Sequence, residues 1–109
     1  MLVVTRFRSP DLSPSAQADL RVGLERSRDI LASCVGNLAA EVGRNVDDPT
    51  LWVLSTRWAN VGSYRRAIGS YEAKMHVQPL MVHALDEPSA YEVVEEGTEM
   101  NEAAPRSLG

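Results

Sequence analysis

The chain has 109 residues with a formal net charge of −4, and its 44% hydrophobic and 24% charged residues are the make-up of one small globular domain. Cys34 is its single cysteine, which excludes an internal disulfide framework, and with only His76 and His83 beside it no cysteine–histidine metal site is expected. No apolar run approaches the ~20 residues of a membrane span, Met1 to Arg6 lack the long apolar stretch of a secretory signal, and no glycine-rich phosphate loop or nucleophile elbow occurs, so a cytoplasmic protein that does not engage a membrane is expected.

Leu2-Val3-Val4-Thr5-Arg6-Phe7-Arg8 is β-branched and apolar and predicts a strand, which Ser9-Pro10 ends. Ser13-Pro14 offers an N-cap followed by proline at the first helical position. Leu20, Leu24, Ser27, Leu31 and Cys34 then make one helical stripe, predicting an amphipathic helix over 14–34 that Gly36 terminates. Leu38, Ala40 and Val42 alternate as one face of a second strand. Asp47-Asp48-Pro49-Thr50 is a turn by composition, and Leu51 to Trp58 reads as a third strand, giving an antiparallel hairpin. Tyr64, Ala67, Ile68 and Tyr71 follow helical spacing in a second helix, kinked at Gly69-Ser70 and interrupted at Pro79. Leu80 to Leu85 predicts a short further helical piece, and Ala90-Tyr91-Glu92-Val93-Val94 a last strand. The order is that of a ferredoxin-like α+β fold, a four-stranded antiparallel sheet with both helices on one face. The folded domain is expected to span 1–95.

Residues 86–109 carry Arg106 against seven acids (Asp86, Glu87, Glu92, Glu95, Glu96, Glu99 and Glu102), so 96–109 reads as a solvated acidic tail. The rest of the chain is close to neutral, and without clustered positive charge no nucleic-acid partner is expected. The first and third strands are apolar on both faces: Leu2 and Val4 oppose Val3 and Phe7, and Val53 opposes Trp52, Leu54 and Trp58. Two helices cover one face only. The second would expose a large apolar patch, so a homodimer joined through the open sheet face is expected.

The stretch Asn45-Val46-Asp47-Asp48-Pro49-Thr50-Leu51-Trp52-Val53-Leu54, the following Thr56-Arg57-Trp58, the helix Ser63-Tyr64-Arg65-Arg66-Ala67 and the closing Ala90-Tyr91-Glu92-Val93 resemble the antibiotic biosynthesis monooxygenase domain family. The resemblance covers residues 1 to 95. It implies a dimeric α+β barrel and an apolar pocket between sheet and helices. It also implies oxygenation of a phenol, hydroquinone or anthrone-like molecule by molecular oxygen without a metal or flavin cofactor. Leu54 and Gln78 stand where quinone-forming members carry an asparagine and an arginine, which keeps open a second reading, a non-catalytic module that binds a hydrophobic metabolite. Heme degradation is disfavoured: Val77 falls where those members have a histidine, and the first strand has no asparagine.

In the quinone-forming members a tryptophan and a tyrosine with the separation of Trp58 and Tyr64 line the site; plain core packing is the alternative for both. His76 and His83, seven apart, are candidate general bases, with a surface location as the alternative, and His76 ranks ahead because it precedes the proline break. Tyr71 lies on the apolar stripe as a candidate pocket or core residue. Asn60 is a candidate substrate contact, or simply makes the turn into the helix. His76 and Tyr64 are thus the candidate catalytic residues, with Trp58, Tyr71, His83 and Asn60 as candidate substrate contacts.

Overall fold

A computed structural model describes residues 1–100. Strand β1 (Leu2–Arg8) leads to helix α1 (Pro14–Ala32), then to the hairpin of β2 (Asn37–Arg44) and β3 (Leu51–Trp58). Helix α2 (Val61–Ile68) follows, then a π-helical turn (Ala73–Val77), a 3-10 turn (Gln78–His83) and the short β4 (Ala90–Tyr91). The strands are antiparallel in the order β2-β3-β1-β4, with the helices packed on one face, so the fold is ferredoxin-like α+β, as expected. Among the described residues no helix is long and apolar enough to cross a membrane.

Local chemistry sets the elements. Ser13 Oγ accepts from Ala16 N at 3.2 Å and Pro14 occupies the first turn, so α1 starts where a capped, proline-led helix should. Its stripe of Leu20, Leu24, Ser27 and Leu31 is buried against the sheet. Ser27 is tolerated there because its hydroxyl donates to the Gly23 carbonyl at 2.9 Å. Gly36 is not the helix cap itself. It sits at φ 88° in a turn closed by Asn37 N–H donating to the Cys34 carbonyl at 3.1 Å, in the left-handed position that a type II turn reserves for glycine. A Cβ on Gly36 would overlap the Ser63 side chain, so the same glycine lets the start of α2 approach the turn.

Register puts Val3, Phe7, Trp52, Leu54 and Trp58 in the core with the α1 leucines. The opposite face presents Leu2, Val4 and Val53, each half-buried, flanked by the ion pairs Arg6–Glu87 at 2.6 Å and Arg57–Glu95 at 3.0 Å. Arg57 thus pairs with an acid of its own chain.

Four local expectations are corrected. A register shift between Asn37 and Ala39 turns Leu38 outward, leaving it 61% exposed while Ala40 and Val42 face in. The second helix ends at Ile68 rather than continuing through a kink, and the chain restarts after Ser70. That break moves Tyr71 off the buried stripe and leaves it 76% exposed. The last strand is two residues long; beyond Tyr91 the chain leaves the ladder and turns at Gly97, where Thr98 Oγ1 accepts from Glu95 N at 2.9 Å. Of the expected acidic tail, residues 101–109 lie outside the described residues.

Candidate functional site

Strand alternation decides what faces the helices. Val3, Thr5 and Phe7 of β1 and Leu54 and Thr56 of β3 form the floor of a cavity of about 230 Å³ between the sheet and the helical layer. Leu31 closes one side, and Tyr64 and Ile68 of α2 roof it. Ala73 and Val77 of the π-helical turn, Gln78 and Met81 of the 3-10 turn and Ser89 complete the wall. The wider π turn followed directly by the tighter, proline-bearing 3-10 turn carries this wall around the cavity. A larger groove of about 520 Å³ between α1 and β2 is lined by Arg21, Glu25, Arg28 and Arg44 and is an open, charged surface cleft. The smaller cavity is the ligand-sized apolar space.

Its chemistry is neutral. The polar groups on its wall are the hydroxyls of Thr5, Thr56, Tyr64 and Ser89 and the Gln78 amide, and among the described residues no Asp, Glu, His, Lys or Arg lines it. Burial pushes the Tyr64 phenol above its ordinary 10.0, so it is a protonated hydrogen-bond donor at neutral pH. Among the described residues no three His, Cys, Asp or Glu side chains converge as metal ligands would.

The sequence candidates fall in different places. Tyr64 is on the cavity wall. Trp58 is 1% exposed and lies on the same strand face as the floor, beyond its end and outside the cavity lining. Its indole Nε1–H donates to Thr56 Oγ1 at 2.9 Å, and its ring meets the Tyr64 ring with centroids 5.8 Å apart at a 58° tilt. The Thr56 hydroxyl and the Tyr64 ring are thus both set against one buried indole. Asn60 caps α2: its Oδ1 accepts from Ser63 N at 2.8 Å and from Ser63 Oγ at 3.0 Å. Capping fixes the start of the helix that carries Tyr64, so Asn60 bears on the site indirectly. Tyr71 and His76 are exposed and outside the cavity lining, and His83 lies in a separate cleft against the start of α1. The structure brings Trp58 and Tyr64 together and does not bring either histidine to them.

Thr56 was missed, although the signal was present. It sits two residues before Trp58, and a period of two puts both on the face of Leu54. Thr5 and Ser89 carry no such local cue, since their place depends on which strands pair.

No protein-family model matches the chain, and no curated protein matches its sequence. Solved structures do. The cofactor-independent oxygenase SnoaB from Streptomyces nogalater is 17% identical, with 89% of this chain and 96% of that one covered, at a TM-score of 0.70. Rv0793 from Mycobacterium tuberculosis is 19% identical over 89% and 97% of the two chains, at 0.68. A structure described as an antibiotic biosynthesis monooxygenase is 14% identical over 87% and 100%, at 0.67. The chain has the antibiotic biosynthesis monooxygenase fold, as its sequence resemblance implied.

Proposed function

We propose that this protein is a cofactor-independent monooxygenase that oxygenates a small phenol, hydroquinone or anthrone-like molecule in the cavity beneath Tyr64. The observation that carries this reading is an apolar cavity walled by neutral hydroxyls, in a fold shared with a cofactor-independent oxygenase. For a phenol or an anthrone the balance is simple. The substrate loses two hydrogens, one oxygen atom of O2 becomes the new carbonyl, and the other leaves as water with those hydrogens. The electrons come from the ionised substrate, whose proton passes to water at the cavity mouth, since no side chain on the wall is a base at neutral pH. Thr56 and Tyr64 supply donors to the substrate oxygen, where negative charge gathers, and the apolar wall excludes bulk water. Oxygen uptake by metal-stripped protein with a panel of naphthols, hydroquinones and anthrone tests this. Acceleration over buffer for at least one substrate is expected, and none across the panel refutes it.

The absence of a titratable base on the wall favours a second reading, a binding module that holds the same kind of molecule without turning it over. A ligand that binds while oxygen consumption stays at the buffer rate decides for that reading. Either way a second copy of the chain covers the sheet face of Leu2, Val4 and Val53, whose half-buried apolar groups lie between two ion pairs.

A further inference from the structure

We propose that Thr56 selects the occupant of the cavity: an aromatic molecule that enters uncharged and whose oxygen accepts a hydrogen bond from the Thr56 hydroxyl. This rests on the cavity being the ligand site, and it adds which group reads the ligand and which ligands fit.

A threonine hydroxyl has one hydrogen to donate and two lone pairs to accept with, whereas an indole N–H can only donate. The 2.9 Å contact between Trp58 Nε1 and Thr56 Oγ1 therefore fixes Thr56 as the acceptor there and leaves its own hydrogen for another partner. Among the described residues Thr56 Oγ1 has no other hydrogen-bond partner, and Thr56 is 3% exposed with the cavity in front of it. A buried donor without an acceptor is costly, so the hydrogen goes to whatever fills the cavity: water when it is empty, a ligand oxygen when it is loaded. Two features make this donor selective. The β-branched side chain has little freedom about χ1, so the hydroxyl stays in place. Accepting from the indole also polarises the O–H and strengthens its donation. Trp58 touches no ligand in this arrangement; it is a positioning residue acting through Thr56.

Charge and size narrow the ligand. With no ionised side chain on the wall, a carboxylate or ammonium group would be desolvated without a counter-charge. A cavity of about 150 Å³ lined by apolar side chains takes up benzene, and drug-sized ligands occupy roughly 300–1,000 Å³. At about 230 Å³ this cavity encloses a substituted ring or a fused pair, and the third ring of an anthrone would extend out of its open side.

Calorimetric titration with α-tetralone and tetralin, two-ring probes of nearly the same shape that differ in the carbonyl, tests the assignment. The wild type is expected to bind the ketone about tenfold more tightly than the hydrocarbon. Thr56→Val is expected to bring the two affinities together and Thr56→Ser to keep the preference. A variant that merely loosened the packing would weaken both probes alike. If the wild type binds both equally, or Thr56→Val keeps the preference, the role of Thr56 is overturned while the cavity reading stands. If neither probe binds, the cavity reading itself falls. Should Thr56→Val fail to fold, the wild-type ratio still decides the donor, and Trp58→Phe decides the positioning role: an unchanged ratio in that variant overturns it.

Discussion

The bond between Trp58 and Thr56 joins the core to the cavity, and its contribution to stability can be isolated. Both residues are almost fully buried, and the indole N–H has no acceptor besides Thr56 Oγ1 among the described residues. Thr56→Val keeps the shape and strands that donor, which costs about 1–3 kcal/mol. Trp58→Phe removes the donor, part of the ring contact with Tyr64 and some of the volume. A cost of about 2 kcal/mol is expected, roughly half that of truncating a buried tryptophan to alanine. In the double variant there is no N–H left to strand, so its cost falls short of the sum of the two by about 1 kcal/mol. Urea unfolding followed by far-ultraviolet circular dichroism reads all four corners of the cycle. With a slope of about 1–2 kcal/mol per molar, each single change lowers the midpoint by about 1 M. Protein concentration is held fixed, because self-association would add to apparent stability. Strict additivity, within about 0.3 kcal/mol, would show that the bond contributes nothing and would remove the basis for treating Thr56 as an oriented donor.

Further outcomes follow from single sites. Asp48 accepts from the Thr50 hydroxyl at 2.7 Å, from Arg8 at 2.9 Å and from Thr50 N at 3.0 Å, and these bonds lower its carboxyl from 3.8 to about 2. Its stabilisation is complete above the unfolded value and is lost as the pH falls toward the folded one, so Asp48→Asn should flatten that stretch of the acid-unfolding curve; an unaltered curve refutes this. The raised Tyr64 phenol works in the opposite direction. Stability is full below pH 10.0 and falls as the pH rises past it, because the unfolded chain ionises first. Tyr64→Phe should lose that alkaline slope in urea midpoints taken on either side of pH 10, and retention of the slope assigns it to another group. Gly36→Ala forces a side chain into a left-handed backbone and onto Ser63, so a loss of at least about 1 kcal/mol and a melting point lower by about 4–8 °C are expected. A melting point equal to wild type would refute the assignment of that turn. Sedimentation velocity should show a dimer that Val53→Arg converts to a monomer; a wild-type monomer at micromolar concentration removes the proposed face-to-face pairing.

What the sequence made legible is what depends on short-range periodicity. Two strands, the capped first helix and the division of the strand residues between two faces could be read because alternation and helical spacing are local properties, while which face turns to the helices is settled by packing. Leu38 was misplaced because the shift at Asn37 and Ala39 reverses the alternation, and nothing in the residue pattern marks a bulge. Tyr71 was misplaced because helical phase was carried across Gly69-Ser70, where the chain in fact restarts. Of the two aromatic candidates, for which pocket lining and core packing were both open, Tyr64 lies on the cavity wall and Trp58 in the core beside it. The residue two before Trp58, on the same strand face, meets the cavity instead. The histidines drew attention through their chemistry alone, and chemistry says nothing about where a side chain ends up. Thr5 and Ser89 face each other's neighbourhood only once β1 has found its partners, which is a long-range outcome.

The borders of the sheet bear on how this molecule meets its own kind. On the β1 side, pairing is divided among an isolated bridge from Phe7 to Ala84, a bond from Leu85 N to the Arg6 carbonyl at 2.9 Å, and the two residues of β4. On the β2 side, the shifted register distorts the end of the ladder. The β1 border is therefore not a long, unbroken rim, and such rims are what allow foreign strands to add on and seed fibres. Crowded solutions of this protein should accordingly resist strand-by-strand accretion at the β1 border, and the proposed pairing of copies would use the broad side of the sheet instead.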